Sequence, residues 1–103
     1  MDRPLRIQLS RRRGFDLRHL SRAQNDLPAT RVSRPGKWGN PFVVGAPGIP
    51  EAAEAVRRFR LDLLLLLSKD PDLLEPLRNK NLACWCQLGE PCHADVLLDL
   101  ANR

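Results

Sequence analysis

Leu82-Ala-Cys-Trp-Cys-Gln-Leu-Gly-Glu-Pro-Cys-His-Ala-Asp-Val-Leu-Leu98 is the stretch on which the fold turns. Its first part, Leu82 to Cys86, is short, almost wholly apolar and flanked by polar residues, the pattern of an interior strand. The period of two places Leu82, Cys84 and Cys86 on one face of that strand and Ala83 and Trp85 on the other. Gly89 to Pro91 make a turn. A helix is predicted from about His93 to Asn102, with Val96, Leu97, Leu100 and Ala101 facing inward. A strand, a tight loop and a helix in that order put the loop outside the carboxyl end of a strand, where α/β folds keep their sites.

The rest of the chain supplies the elements such a fold needs. Leu5, Ile7 and Leu9 alternate with Arg6 and Gln8, a weak strand signal, and Thr30 to Ser33 reads as another short strand. Between them Phe15 to Ala29 is polar, with Leu17, Leu20 and Leu27 as anchors, and reads either as one short helix or as an arm. Val56, Phe59, Leu63, Leu66 and Leu67 mark the clearest helix, with Pro50 in its first turn and Glu51 and Glu54 near its amino end. Leu64 and Leu65 widen its apolar face and imply cover on more than one side. Asp70-Pro71 repeats the start signal and predicts a second helix through Leu73, Leu74 and Leu77 to about Asn79. The expected class is α/β: a small Rossmann-like domain with a short, mostly parallel sheet flanked by helices over residues 30–103. Residues 1–29 are expected to be a basic N-terminal arm, partly flexible.

The 103 residues suit one core of two or three layers. No run is long and apolar enough to span a bilayer, and none has the pattern of a signal peptide. Three closely spaced cysteines do not make a secreted disulfide framework, so a reduced, cytoplasmic protein is expected. The charge is divided: residues 1–40 hold ten Arg or Lys against three Asp, and residues 41–103 hold seven against nine Asp or Glu. A basic half joined to a mildly acidic half points to an anionic partner, a nucleic acid, a nucleotide or another phosphate, against the plainer reading of solubility. Arg11, Arg12 and Arg13 are the candidates for nonspecific nucleic-acid backbone contact. With only five aromatic residues an extensive base-stacking surface is not expected.

Cys84, Cys86, Cys92 and His93 form a C-x-C-x5-C-H constellation. Zinc takes four thiolate or imidazole donors in a tetrahedron, and a strand with two same-face cysteines plus a returning turn brings three together. The spacing is not the usual C-x2-C knuckle, adjacent Cys92 and His93 are awkward partners on one ion, and His19 is a fourth donor only if the N-terminal segment folds back. The alternatives are inert packing, strongest for Cys84 and then Cys86, and reactive chemistry. For the latter Cys92 lies at a helix start that favours a thiolate, and His93 and Asp95 are candidates for acid–base roles.

A second constellation is basic. Arg31, Arg34 and Lys37 recur every three residues around Pro35-Gly36 and Gly39-Asn40, a turn whose glycines let backbone amides approach a phosphate. Neither a Walker loop nor a dinucleotide fingerprint is present. Arg31, Arg34 and Lys37 are candidates for holding phosphate, and Trp38 and Asn40 for contacting base or ribose.

Arg31-Val-Ser-Arg-Pro-Gly-Lys-Trp-Gly-Asn-Pro-Phe42, taken with Leu82-Ala-Cys-Trp-Cys86 and Cys92-His-Ala-Asp-Val-Leu97, resembles an uncharacterised family of small bacterial and phage domains (DUF4326-like) over roughly residues 30–101. The resemblance implies that Lys37, Trp38, Asn40, Cys86, Cys92, His93 and Asp95 form a shared site. It carries no settled activity with it. The leading expectation is therefore a domain that binds a nucleotide or nucleic-acid phosphate, extended to hydrolysis of nucleotides or nucleic acid. The alternative is a non-enzymatic, zinc-stabilised module that docks to nucleic acid or protein. Whether the chain is an enzyme stays open between them, and zinc is the one cofactor the residues suggest.

Overall fold

The central strand carries the sheet. In the computed structural model, which describes residues 3–103, three parallel strands lie in the order β1-β3-β2: β1 is Arg6–Gln8, β2 is Ala29–Arg31 and β3 is Asn81–Cys84. Arg6, Ile7 and Gln8 pair with Leu82, Ala83 and Cys84, while Ala29, Thr30 and Arg31 pair with Asn81, Leu82 and Ala83. The ladder runs one residue further on each side, where the Leu9 amide donates to the Cys84 carbonyl and the Val32 amide to the Ala83 carbonyl, both at 2.8 Å. All four residues of β3 are buried, as its apolar run requires. The sheet is small and wholly parallel among the described residues. Three strands establish the α/β class without making a doubly wound Rossmann topology.

The two faces of β3 serve two cores. Leu82 and Cys84 pack with Val32, Phe59, Leu63, Leu77, Cys92 and Leu97, under helices α2 (Ala52–Lys69) and α3 (His93–Ala101). Ala83 faces the other way, with Ile7 and Leu9, and is covered by Phe15, Leu17 and Leu20 from α1 (Leu17–Asn25) and the residues before it. The alternation expected for Leu82 to Cys86 therefore divides the molecule into three layers, α1, sheet, and α2 with α3. The basic segment 1–29 supplies β1 and α1 to this arrangement, its first two residues lying outside the described part. Asp16 starts α1 as its N-cap, accepting from the His19 amide at 3.1 Å, and Asp26 ends it in the left-handed conformation.

Two expectations are corrected. The segment after Asp70 forms no α-helix, only a 3-10 turn, Glu75–Leu77. Its amides bond three residues back, Leu73 to Asp70, Glu75 to Asp72, Leu77 to Leu74 and Arg78 to Glu75. Pro76 is the reason: it has no N–H for the Asp72 carbonyl, which Glu75 takes instead, and its ring would clash there in an α-helix. The apolar face of α2 is covered on one side only. Ala55, Phe59 and Leu63 are buried, but Leu61 and Leu65 are 55% and 59% exposed, and Leu64 and Leu66 are exposed too. The core meets α2 from one direction, and among the described residues no element covers its outer side. Pro50 stands just before this helix, whose N-cap is Glu51. No helix is long and apolar enough to cross a membrane among the described residues.

One buried polar group locks the layers together. Asn81, fully buried in β3, exchanges two hydrogen bonds of 2.8 Å with Asn25 of α1, accepts from the Leu5 amide at 3.0 Å and donates to Ser21 at 2.7 Å. Ser21, itself buried, donates in turn to the Leu27 carbonyl at 2.6 Å. A buried donor left without a partner costs about 1–3 kcal/mol. Asn81→Leu strands groups on Ser21, Asn25 and Leu5 together, so it should lower unfolding free energy by several kcal/mol in urea melts. Asn25→Ala, at the half-buried end of the network, should cost less.

Candidate functional site

The carboxyl end of the sheet gathers the thiols. Cys84 closes β3, Cys86 follows after Trp85, and the loop returns to Cys92, the residue that caps α3. Cys92 has extended backbone torsions, φ −149° and ψ 140°, and only His93 begins the helix. The two residues are thus not neighbours on a helix surface, where their side chains would diverge, and the awkwardness expected of adjacent donors does not arise. Cys92 Sγ lies 3.8 Å from His93 Nδ1, and Cys84 Sγ lies 3.7 Å from Cys86 Sγ. The donor atoms of Cys84, Cys92 and His93 all fall within 4.8 Å of one another, and all three residues are buried.

The histidine is oriented by two neighbours. Its Nε2 meets the Val32 carbonyl at 2.6 Å, and a carbonyl only accepts, so Nε2 carries the hydrogen. In the neutral ring Nδ1 then holds the lone pair, and it is Nδ1 that faces the thiols. Phe59 stands edge-on to the imidazole at 5.2 Å between centroids. Neither partner had a readable signal in the sequence: one is a backbone oxygen, and Phe59 is simply one of the α2 core residues.

The thiols share charge unevenly. The neighbouring Cys92 thiol holds the Cys84 thiol down to about 5, against burial. Cys92 is pushed up, first by the neighbouring Cys84 and then by burial. Burial also raises Cys86. At the helix start that would favour a thiolate on Cys92, the neighbouring Cys84 and burial push the other way.

A third residue that sequence reasoning passed over fixes the loop. Arg6 of β1, with a side chain only 9% exposed, donates to the Glu90 carbonyl and the Asp95 carboxylate through Nη1 and to the Gln87 carbonyl through Nη2, each at 3.0 Å. These contacts span the loop between Cys86 and Cys92. Asp95 is thereby turned toward β1, and it does not line the cavity beside the thiols.

That cavity, about 440 Å3, lies between the loop after β2, the start of α2 and the cysteine loop. Arg34, Asn40, Trp85, Cys86, Cys92 and His93 all line it, so one basic residue and the thiol cluster do share a space. The other basic candidates do not line it. Lys37 lies with its Nζ 4.8 Å over the ring of Trp38, which packs against the core. Arg31 opens onto a groove beside α1 with Arg18 and Arg22. Asn40 is buried with both ends of its amide in use, donating to the Ala55 carbonyl at 3.2 Å and accepting from the Phe42 amide at 2.9 Å. Gly39 is needed for closeness to its own chain: a Cβ there would stand 2.9 Å from the Arg34 Cα. Arg11 stacks on Trp85 at 4.7 Å, and Arg12 and Arg13 are exposed beside it in sequence. His19 is exposed on α1, across the sheet from the thiols, and is not among the clustered donors.

Residues 16–103 match the family described as domain of unknown function (DUF4326). The chain belongs to that family. The match takes in all three cysteines, His93 and the basic loop, and reaches back to α1, further than the motifs alone. No curated protein and no solved structure matches the chain.

Arg6 lies before the matched span, yet its nearly buried side chain makes three charge-assisted hydrogen bonds, a kind worth about 1.5–3 kcal/mol. Arg6→Ala should lower stability by roughly that amount in thermal or urea melts. Asp95→Asn, which touches only the 57% exposed partner, should cost less than about 1 kcal/mol. Equal losses for the two would show that the carbonyl contacts to the loop carry no weight.

Proposed function

We propose that the chain is a non-enzymatic interaction module whose cysteine loop is held by zinc, with Cys84, Cys86, Cys92 and His93 as ligands. The observation that carries this reading is the imidazole. Metal-bound histidines characteristically give their second ring nitrogen to a carbonyl or carboxylate, which fixes the tautomer and aims the free lone pair. His93 does so through Val32 and turns Nδ1 to the thiols. Spacing agrees: zinc bonds of about 2.3 Å to sulfur and about 2.0 Å to nitrogen set neighbouring donors about 3.6–3.8 Å apart in a tetrahedron. The separations of 3.7 and 3.8 Å fit that, and a turn of the half-buried Cys86 brings in the fourth donor. Four protein ligands close the coordination sphere and leave no position for a reacting water, as in structural zinc sites. Zinc would tie β3 to the start of α3 and so stiffen the end of the sheet.

A second reading, phosphate or nucleotide binding with hydrolysis, is favoured by the cavity and by Arg34 at its wall. It lacks a free base. His93 is buried with Nε2 held by the Val32 carbonyl and Nδ1 turned to the thiols, and Asp95 is paired with Arg6 outside the cavity.

Untagged protein should contain one zinc per chain by elemental analysis, and a strong chelator should remove it and lower the Tm. Cobalt exchanged into the site should give the visible absorption of tetrahedral thiolate ligation, a readout independent of stability. Cys92→Ser and His93→Ala should lose the metal, while Asp95→Asn keeps it. Protein that carries no zinc, takes up no cobalt and melts alike with and without chelator would exclude the metal centre.

A further inference from the structure

The excess charge of this chain is not distributed as solubility alone would have it. Among the described residues, five of the seven cations after residue 40 stand within 4.0 Å of a carboxylate, whereas eight of the ten before it do not. Two of the free ones reach the same end of the sheet as the thiols. Arg11 comes two residues after Leu9, the last rung of β1 on β3, and Arg34 two residues after Val32, the last rung of β2. Between them Trp85 follows directly on β3. In the order β1-β3-β2, the carboxyl edge therefore reads Arg11, Trp85, Arg34. The contacts agree: the Arg11 guanidinium stacks 4.7 Å from the Trp85 ring, and Arg34 and Trp85 line the same cavity. Trp85 is 41% exposed, a large apolar surface kept at the centre of a cationic rim.

We infer that this edge binds single-stranded nucleic acid, with one base against the Trp85 indole and the neighbouring phosphates on Arg11 and Arg34. The charge complementarity is with a polyanion. What selects a single strand is the aromatic ring, which accepts the face of any base but reaches only an unstacked one. A duplex would meet the arginines and leave Trp85 unused, and so would an acidic peptide. With one exposed indole the surface supplies one stack, so most of the affinity is electrostatic and falls steeply with salt. The inference rests on the metal-centre reading, because Trp85 lies between two of the proposed ligands, Cys84 and Cys86, which hold its loop in place.

Fluorescence anisotropy of the full chain with a short labelled single strand, DNA and RNA in turn, tests it. The matching duplex and a poly-glutamate peptide serve as competitors over a salt series, and zinc is measured on every sample. The single strand should bind tighter than the duplex and resist the peptide. Trp85→Ala should weaken binding on the order of tenfold, with Trp85→Phe restoring much of it. Arg11→Ala and Arg34→Ala should each reduce the slope of log affinity against log salt by about 0.7. Lys69→Ala and Lys80→Ala, which remove the same charge elsewhere, should leave the affinity nearly unchanged. Retained zinc in the variants shows that the loop is intact. Zinc-loaded protein that ignores the single strand, or binds duplex or peptide as well, overturns this inference and leaves the metal centre standing. Zinc-free protein overturns the metal centre itself, whatever binds.

Discussion

Every layer of the molecule leans on the four residues from Asn81 to Cys84. Among the described residues they form the one strand paired on both sides, so their backbone groups hold β1 and β2 at once. Their side chains alternate between two cores, Leu82 and Cys84 to one and Ala83 to the other. Asn81 enters with a polar group that a buried strand tolerates only because Asn25, Ser21 and the Leu5 amide meet it. The same strand ends in the first thiol. Fold and site are therefore one piece of chain: the pairing that makes the sheet also delivers Cys84 and Trp85 to its carboxyl edge.

The chemistry at that edge is arranged from three directions. β3 presents Cys84, the start of α3 presents Cys92 and His93, and the Val32 carbonyl past the end of β2 sets which ring nitrogen faces inward. Arg6 of β1 reaches across to hold the intervening loop by its carbonyls. Both strands adjacent to β3 thus help to fix the thiol loop and its histidine. Two of the candidate site residues, Asp95 and Asn40, are also tied into this framework. Asp95 pairs through one carboxylate oxygen with Arg6, and Asn40 uses both ends of its amide on Ala55 and Phe42.

Much of this could be read from the residues, for definite reasons. β3 and α3 were legible because burial is complete on one element and one-sided on the other, so periodicity had a clean signal. The clustering of Cys84, Cys92 and His93 followed from a strand, a loop and a helix start being adjacent in both sequence and space. What failed did so where local pattern conflicts with a specific backbone need. Asp70-Pro71 looks like a helix start, yet Pro76 removes the donor that would continue it. Leu64 and Leu65 look like core because they are leucines, though a sheet of three strands has no second surface to cover them. The Val32 carbonyl and the triple contact of Arg6 had no pattern at all, since one is main chain and the other bridges residues more than eighty positions apart.

The place of β1 has a practical side. The family match begins at residue 16, ten residues after the strand begins, yet β1 occupies a whole flank of β3. A chain trimmed to the matched span would keep every cysteine and still present the central strand with a raw edge of unpaired amides and carbonyls. Such an edge recruits strands from other molecules. Aggregation of so trimmed a protein would say nothing about its metal or its ligand, only that a neighbour had been cut away.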